Sequence, residues 1–281
     1  MQQFQTIAEL KKELHLHREK GKSIGFVPTM GALHNGHLEL IRKAVAENDV
    51  CVCSIFVNPI QFNNKEDLEK YPRDLHADFE KLKATGCHMV FAPESSEMYP
   101  EPDQTEFEFG QLDKVLEGKF RPGHFKGVAI VVKKLFEIVE PYRAYFGEKD
   151  FQQLAIIKRL VELKKLPVQI IPCPTVRETD GLAMSSRNLR LTKEERLLAP
   201  QIYQELQSIK SNFDGENTQL LIRKAIQNLN RLKGMKVEYL EIVDTRTLLP
   251  FNRKIKNPEG AIALIATFLG NVRLIDNIRL N

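Results

Sequence analysis

Much is missing from this 281-residue chain, and each absence narrows the reading. No apolar run is long enough to cross a bilayer, since the most apolar stretch, AIALIATFLG near the C-terminus, falls well short. The N-terminal MQQFQTIAELKKELHLHREKGK is charged throughout and lacks a signal-peptide apolar core. No basic run with interleaved aromatics appears. The 41 Lys and Arg stand among 37 Asp and Glu for a net charge of +4, which suits anionic ligands mildly and gives no ground for nucleic-acid binding. Internal repeats and low-complexity tracts are absent as well. Cysteine is scarce. Cys51 and Cys53 alternate in VCVCSIFV and share one face of an expected buried strand, and no second pair completes a metal set with them. Core packing is therefore expected for both. The expectation is a reduced, cytoplasmic globular protein with neither a membrane nor a nucleic-acid partner.

What is present is ordered. Charged residues at 28% and hydrophobic ones at 42% match an ordinary globular composition, long enough for one large or two smaller domains. Thr6 and Glu9 suggest a capping box opening a first helix, with Ile7, Leu10 and Leu14 on one face and Gly21 ending it. Short apolar runs then alternate with helical patterns. Strands are expected at SIGFV (23–27), VCVCSIFV (50–57), HMVFAP (88–93), RAYFG (143–147) and VQIIP (168–172), and helices at 38–48, 65–85, 126–139 and 151–165. That alternation argues for an α/β fold, a Rossmann-like doubly wound parallel sheet covered on both faces. Such sheets bind ligands at the carboxyl ends of their strands. Residues 99–127 form a long, irregular connection of the kind that serves as an active-site lid, with Glu117, Arg121 and His124 on it.

After residue 175 the pattern changes. Thr192 and Glu195 suggest a second capping box opening a helix near 193–210, and another helical pattern covers 217–232. Strands are expected at 236–244, 260–270 and 272–280, the last two joined by Gly270-Asn271, a hairpin signal. The expected division is a Rossmann-like domain at 1–175 and a smaller α+β domain at 176–281.

Four polar clusters carry the chemistry. PTMGALHNGH (28–37) follows a strand and opens a helix, with His34 and His37 flanked by Gly31 and Gly36. Two histidines alone suggest zinc, but no cysteine or carboxylate pair stands at ligand spacing beside them. Glycines that admit close backbone approach, together with a helix N-terminus, favour anion recognition instead. AMSSRN (183–188) offers two hydroxyls and a guanidinium. YFGEKDFQQL (145–154) places Lys149 and Asp150 at a helix start, and FVNPIQF (56–62) places Asn58 and Gln61 past another strand end.

Taken together, and with LEGKFRPGHF (116–125), these segments resemble the pantoate–β-alanine ligases (pantothenate synthetases) over essentially the whole chain. HNGH resembles the His-x-Gly-His signature of class I adenylating enzymes, and AMSSRN their Lys-Met-Ser-Lys-Ser loop. Here Ala183 and Ser186 stand at the lysines, so Lys149 and Arg187 are left to meet phosphate charge. The resemblance implies that pantoate attacks the α-phosphate of ATP, and that β-alanine then takes the pantoyl group from the adenylate. It implies ATP contacts from Met30, Gly31, Ala32, Leu33, His34, Asn35, Gly36 and His37, from Gly147, Glu148, Lys149 and Asp150, and from Val176, Met184, Ser185, Ser186 and Arg187. His34, His37, Lys149 and Arg187 are the expected catalytic donors. Gln61 and Gln153 are expected to hold pantoate, with Gln61 also near β-alanine and Asn58 beside it, whereas Gln152 fits a surface glutamine. Mg²⁺ is expected to travel with the nucleotide without a dedicated protein site, Asp78 giving at most a water-mediated contact. A homodimer is implied. Rival readings are a nucleotidyltransferase of the same superfamily, an aminoacyl-tRNA synthetase, and a non-catalytic nucleotide-binding regulator.

Overall fold

A computed structural model describes residues 1–63, 65–69, 71–251 and 260–280. Six parallel strands, β1 (Gln2–Phe4), β2 (Ile24–Thr29), β3 (Val50–Ile55), β4 (Met89–Phe91), β5 (Arg143–Gly147) and β6 (Gln169–Cys173), lie in the order β1-β4-β3-β2-β5-β6. Strand order reverses between β2 and β5, which opens a crevice at their carboxyl ends. Alternation along the strands builds two cores. Phe26, Val52 and Phe91 pack with Leu10, Leu14, Phe136 and Leu154 under the helices Ile7–Glu19, His124–Val139 and Phe151–Lys164. Val27, Cys51, Cys53 and Val90 pack with Ile41, Ala44 and Leu82 under Asn35–Glu47 and Leu75–Ala84. All four cysteines are free and buried.

A smaller antiparallel sheet, β7 (Met235–Asp244), β8 (Ala261–Leu269) and β9 (Val272–Arg279), carries the helices Gln201–Asn212 and Thr218–Asn230. Gly270 turns the β8–β9 hairpin with a φ of +55°. Where the sequence suggests single helices at 65–85 and 193–210, the chain breaks at prolines. Pro72 separates Lys65–Glu69 from Leu75–Ala84, and Pro200 separates Lys193–Leu198 from Gln201–Asn212. Thr192 and Glu195 form a complete capping box. At Thr6 only half forms, because the Glu9 carboxylate accepts the Thr6 hydroxyl instead of its N–H.

The two sheets are locked together through β9. Arg177 donates to both carboxylate oxygens of Asp276 (2.6 and 3.0 Å), reaches the Gly181 and Asn277 carbonyls, and lies 3.6 Å over the Tyr203 ring. Burial pushes the Asp276 carboxyl above its ordinary range even with Arg177 beside it. Replacing Arg177 with Met strands that carboxylate, and urea unfolding at neutral pH should show a loss of about 3–5 kcal/mol. The stranded group titrates higher in the folded than in the unfolded chain, so the loss should grow as pH rises above about 4 and shrink below it. A loss independent of pH would show that the ion pair is not its source.

Candidate active site

The end of β2 is shaped before any ligand is considered. Gly31 and Ala32 both take positive φ (+79° and +50°), a turn that exposes backbone N–H groups. Asp78, 2% exposed on the helix Leu75–Ala84, accepts from Ala32 N and Leu33 N, each at 2.8 Å, and Lys81 caps the Leu33 carbonyl at 2.7 Å. With each oxygen accepting a backbone N–H, Asp78 is a clamp on this turn.

The turn delivers His34 as the N-cap of the helix Asn35–Glu47. The N–H of Gly36 donates to Nδ1 of His34 (3.1 Å) and the N–H of His34 to Nδ1 of His37 (3.4 Å), and the rings lie 4.0 Å apart. An imidazole nitrogen that accepts carries no proton, so both rings hold theirs on Nε2. Burial, then the nearby Lys149 charge, lowers His34 to about 4, while burial and the neighbouring His34 and Lys149 push His37 well below its ordinary value. Both are neutral donors at physiological pH. Gly36 is required beside them, because a Cβ there would lie 2.8 Å from Cε1 of His34.

The opposite wall comes from the other side of the switch. After β5, Gly147 leads into the turn Glu148–Asp150. Asn277 of β9 donates to the Glu148 and Lys149 carbonyls, both at 2.9 Å, and Arg279 pairs with Glu148 at 2.9 Å. The short helix Ser186–Arg190 is capped by Ser185 Oγ, which accepts from Arg187 N at 3.3 Å. Met30, His34, Gly36 and His37 line one cleft together with Gly147, Lys149, Asp150, Gln153, Val176, Met184, Ser185, Ser186 and Arg187. Tyr71 also lines it, beside Ser186. Nothing in the local sequence singles out Tyr71, which stands before Pro72 inside an expected helix.

Several expected residues work behind the cleft. Ala32 and Leu33 are held on Asp78, Glu148 on Arg279, and Asn35 is exposed. Asn58, 1% exposed, faces inward: its amide donates to Gln61 Oε1 (3.2 Å) and the Gly127 carbonyl (3.1 Å), and Tyr99 donates to its oxygen (3.0 Å). Asn58 thus supports Gln61, whose own amide donates to Met30 Sδ at 2.8 Å. Gln152 is no surface residue. At 3% exposure it accepts from Glu117 N and donates to the Leu112 and Val115 carbonyls. Nor does residue 117 hang free as a lid: Glu117 takes a bidentate pair from Arg273 (2.8 and 2.7 Å) and a 2.8 Å bond from Tyr239. His124 begins the helix His124–Val139 and is buried.

Gly36→Ala should displace the His34 ring and weaken binding of a non-hydrolysable nucleoside triphosphate by roughly 10–100-fold in calorimetry, the equivalent of losing one charge-assisted hydrogen bond. The variant should keep its thermal stability. Unchanged affinity would remove His34 from the binding surface.

The comparisons agree with this geometry. The family model described as Pantoate-beta-alanine ligase matches residues 2–279. The pantothenate synthetase of Porphyromonas gingivalis (strain W83) is 51% identical over 282 residues, covering 99% of both chains, and that of Bacteroides fragilis (strain YCH46) is 50% identical over 283 residues with the same coverage. The crystal structure of pantothenate synthetase from Thermus thermophilus superimposes with a TM-score of 0.91 at 43% identity, covering 100% of this chain and 99% of that one. Pantoate-beta-alanine ligase from Francisella tularensis, complexed with beta-gamma ATP and beta-alanine, gives 0.82 at 38% identity, covering 100% and 98%. A Rossmann-like switch point furnished with paired imidazoles, a lysine turn and a Ser-Ser-Arg loop is thus accompanied by full-length likeness in sequence and fold, and the chain belongs to the pantoate–β-alanine ligase family.

Proposed function

We propose that this chain joins pantoate to β-alanine through a pantoyl adenylate, consuming ATP and releasing pyrophosphate and AMP. One observation carries the reading: two neutral imidazoles with their protons on Nε2 line a single cleft with Lys149, Ser185, Ser186 and Arg187. A carboxylate is a poor acyl donor until its oxygen becomes part of a good leaving group, and AMP supplies one. In-line displacement at the α-phosphorus builds charge on equatorial oxygens and on departing pyrophosphate, so catalysis there is positioning and electrostatics. His34 and His37 donate to phosphate oxygens without adding net charge, while Lys149 and Arg187 supply the charge from the opposite wall. Gln153 orients pantoate with a neutral amide, which leaves the carboxylate nucleophilic, and Gln61 stands behind Met30.

Mg²⁺ belongs to this reading as a companion of the nucleotide. Among the described residues lining the cleft, Asp150 is the one carboxylate, and Asp78 is already engaged by backbone. That donor set suits an ion held mainly by phosphate oxygens and water. When bound it supplies charge neutralisation on the triphosphate. The same reading assigns nucleotide and pantoate to residues 1–175 and closure over them to 176–281. It takes the chain as a cytoplasmic homodimer.

AMP formation that requires both pantoate and β-alanine tests the whole proposal. AMP retained on the product would favour a nucleotidyltransferase, and tRNA dependence a synthetase. His37→Ala should lower kcat for adenylate formation by roughly 10²–10³, about 3–4 kcal/mol. Gln153→Ala should raise the KM for pantoate far more than that for ATP, and equal effects would count against its assigned role.

A further inference from the structure

Behind the cleft lies a second, smaller cavity. Lys149, Asp150 and Gln153 line both spaces, so the two adjoin along the turn that follows β5. Glu117, Arg121, His124, Gln152, Tyr239 and Asp276 complete its polar lining. His124 is the unusual member. It is 6% exposed, at the first position of a helix whose N-cap, Gly123, offers no side chain. Its Nδ1 lies 2.9 Å from the backbone carbonyl of Gln61. A carbonyl oxygen only accepts, so Nδ1 carries the ring proton and Nε2 is left with a bare lone pair. Among the described residues nothing donates to Nε2. The contact is enforced by the backbone: Gly127, one turn along, brings the helix so close to the 59–61 turn that a Cβ there would lie 2.7 Å from the Gln61 Cα.

This arrangement is the reverse of that at His34 and His37. There the backbone donates to Nδ1 and the rings give a proton outward. Here the backbone takes the proton of Nδ1 and the ring offers an acceptor. Burial, then the Arg121 charge, lowers His124 to about 4 against the opposing pull of the Gln61 carbonyl, Glu117 and Asp150. The lone pair is therefore unprotonated at working pH. Lys149 and Asp276 share the cavity lining, and Arg121 is itself held 3.5 Å from Glu117.

Adenylation of a carboxylate requires no base, whereas aminolysis of the adenylate does. We propose that Nε2 of His124 accepts the proton lost from the amine nitrogen as it attacks the acyl carbon, which makes His124 a catalytic residue of the second step alone. The inference rests on the adenylate reading above. Two protons leave nitrogen between ammonium and amide. The first goes to solvent when the amine enters as the free base. The second is shed by the acidified adduct onto Nε2 while the carbon–oxygen bond to phosphate breaks and AMP departs with that electron pair. His124 then returns its proton to water.

The test separates the half-reactions. In the wild-type enzyme, pantoate-dependent exchange of pyrophosphate into ATP reads adenylation, and single-turnover amide formation from enzyme-bound adenylate reads aminolysis. His124→Asn keeps an N–H donor for the Gln61 carbonyl but has no basic nitrogen at the Nε2 position. It should hold exchange within about threefold while aminolysis by β-alanine falls by roughly 10²-fold or more. His124→Gln places a non-basic amide near the Nε2 position and should remain equally slow. Hydroxylamine, a weakly basic nucleophile whose adduct sheds its proton readily to water, should react with the adenylate at nearly wild-type rate in both variants. Equal loss with β-alanine and hydroxylamine would reduce His124 to a packing role and overturn the proposal, as would parallel loss of exchange and aminolysis. Absence of pantoate-dependent exchange in the wild type would instead sink the adenylate reading, and the assignment of His124 with it.

Discussion

A neutral imidazole has one proton to give and one lone pair to offer, and the backbone decides which nitrogen has which. That constraint organises the site. At His34 and His37 two main-chain N–H groups occupy Nδ1, so the protons face outward on Nε2. Their burial beside Lys149 keeps both rings uncharged. On the proposed reading, a charged imidazolium would bind the triphosphate ground state more tightly. A neutral donor fixed in place gives most where charge accumulates during displacement, and preorganised donors of that kind carry much of the catalysis in such sites. The helix N-terminus beneath His34 adds its own favourable field for anions.

Preorganisation depends on buried side chains that hold the backbone on each wall. The turn before His34 includes a non-glycine residue at positive φ, a strained choice, and Asp78 offsets it by satisfying two backbone donors at once. On the facing wall Lys149 sits on a short turn whose carbonyls are held by Asn277, a residue 128 positions away on the other sheet. Each wall of the cleft is thus anchored by a buried polar residue from a different element, and misplacement by an ångström at either anchor would reach the side chains that line it.

Much of the fold is legible in the chain because it rests on local signals. Continuous apolar runs such as VCVCSIFV announce two-sided burial, and the glycine and histidine spacing at 31–37 marks a strand-to-helix turn. Prolines at 72 and 200 are equally visible, yet they break helices that periodicity alone would continue. The edge strand Gln2–Phe4 escapes notice because three residues carry no periodicity and its pairing with Met89–Phe91 is entirely long-range. Asn58 and Gln152 are misjudged for a related reason. Polar residues near strand ends look like ligand contacts or surface, and only the approach of Gly127, or of the 112–117 segment, shows them spent on backbone. Tyr71 belongs to the same class, placed in the cleft by tertiary folding alone.

The segment around Glu117 shows why an irregular sequence need not be a moving lid. Burial alone pushes a carboxyl toward its neutral form, but Arg273 and Tyr239 outweigh that here and hold Glu117 below its ordinary range. Arg273 in turn also serves Glu238, so one guanidinium from β9 joins Glu117 of this segment to Glu238 of β7. Buried ion pairs of this kind contribute little net stability, since desolvation consumes most of the Coulombic gain; their value lies in register. Gln152 fixes the same segment to the helix Phe151–Lys164, so residues 112–117 are held from both sides. A motion that drew the smaller sheet away from that helix would have to break one of these two sets of bonds. Arg121, 3.5 Å from Glu117, stands at the same joint and is positioned by it.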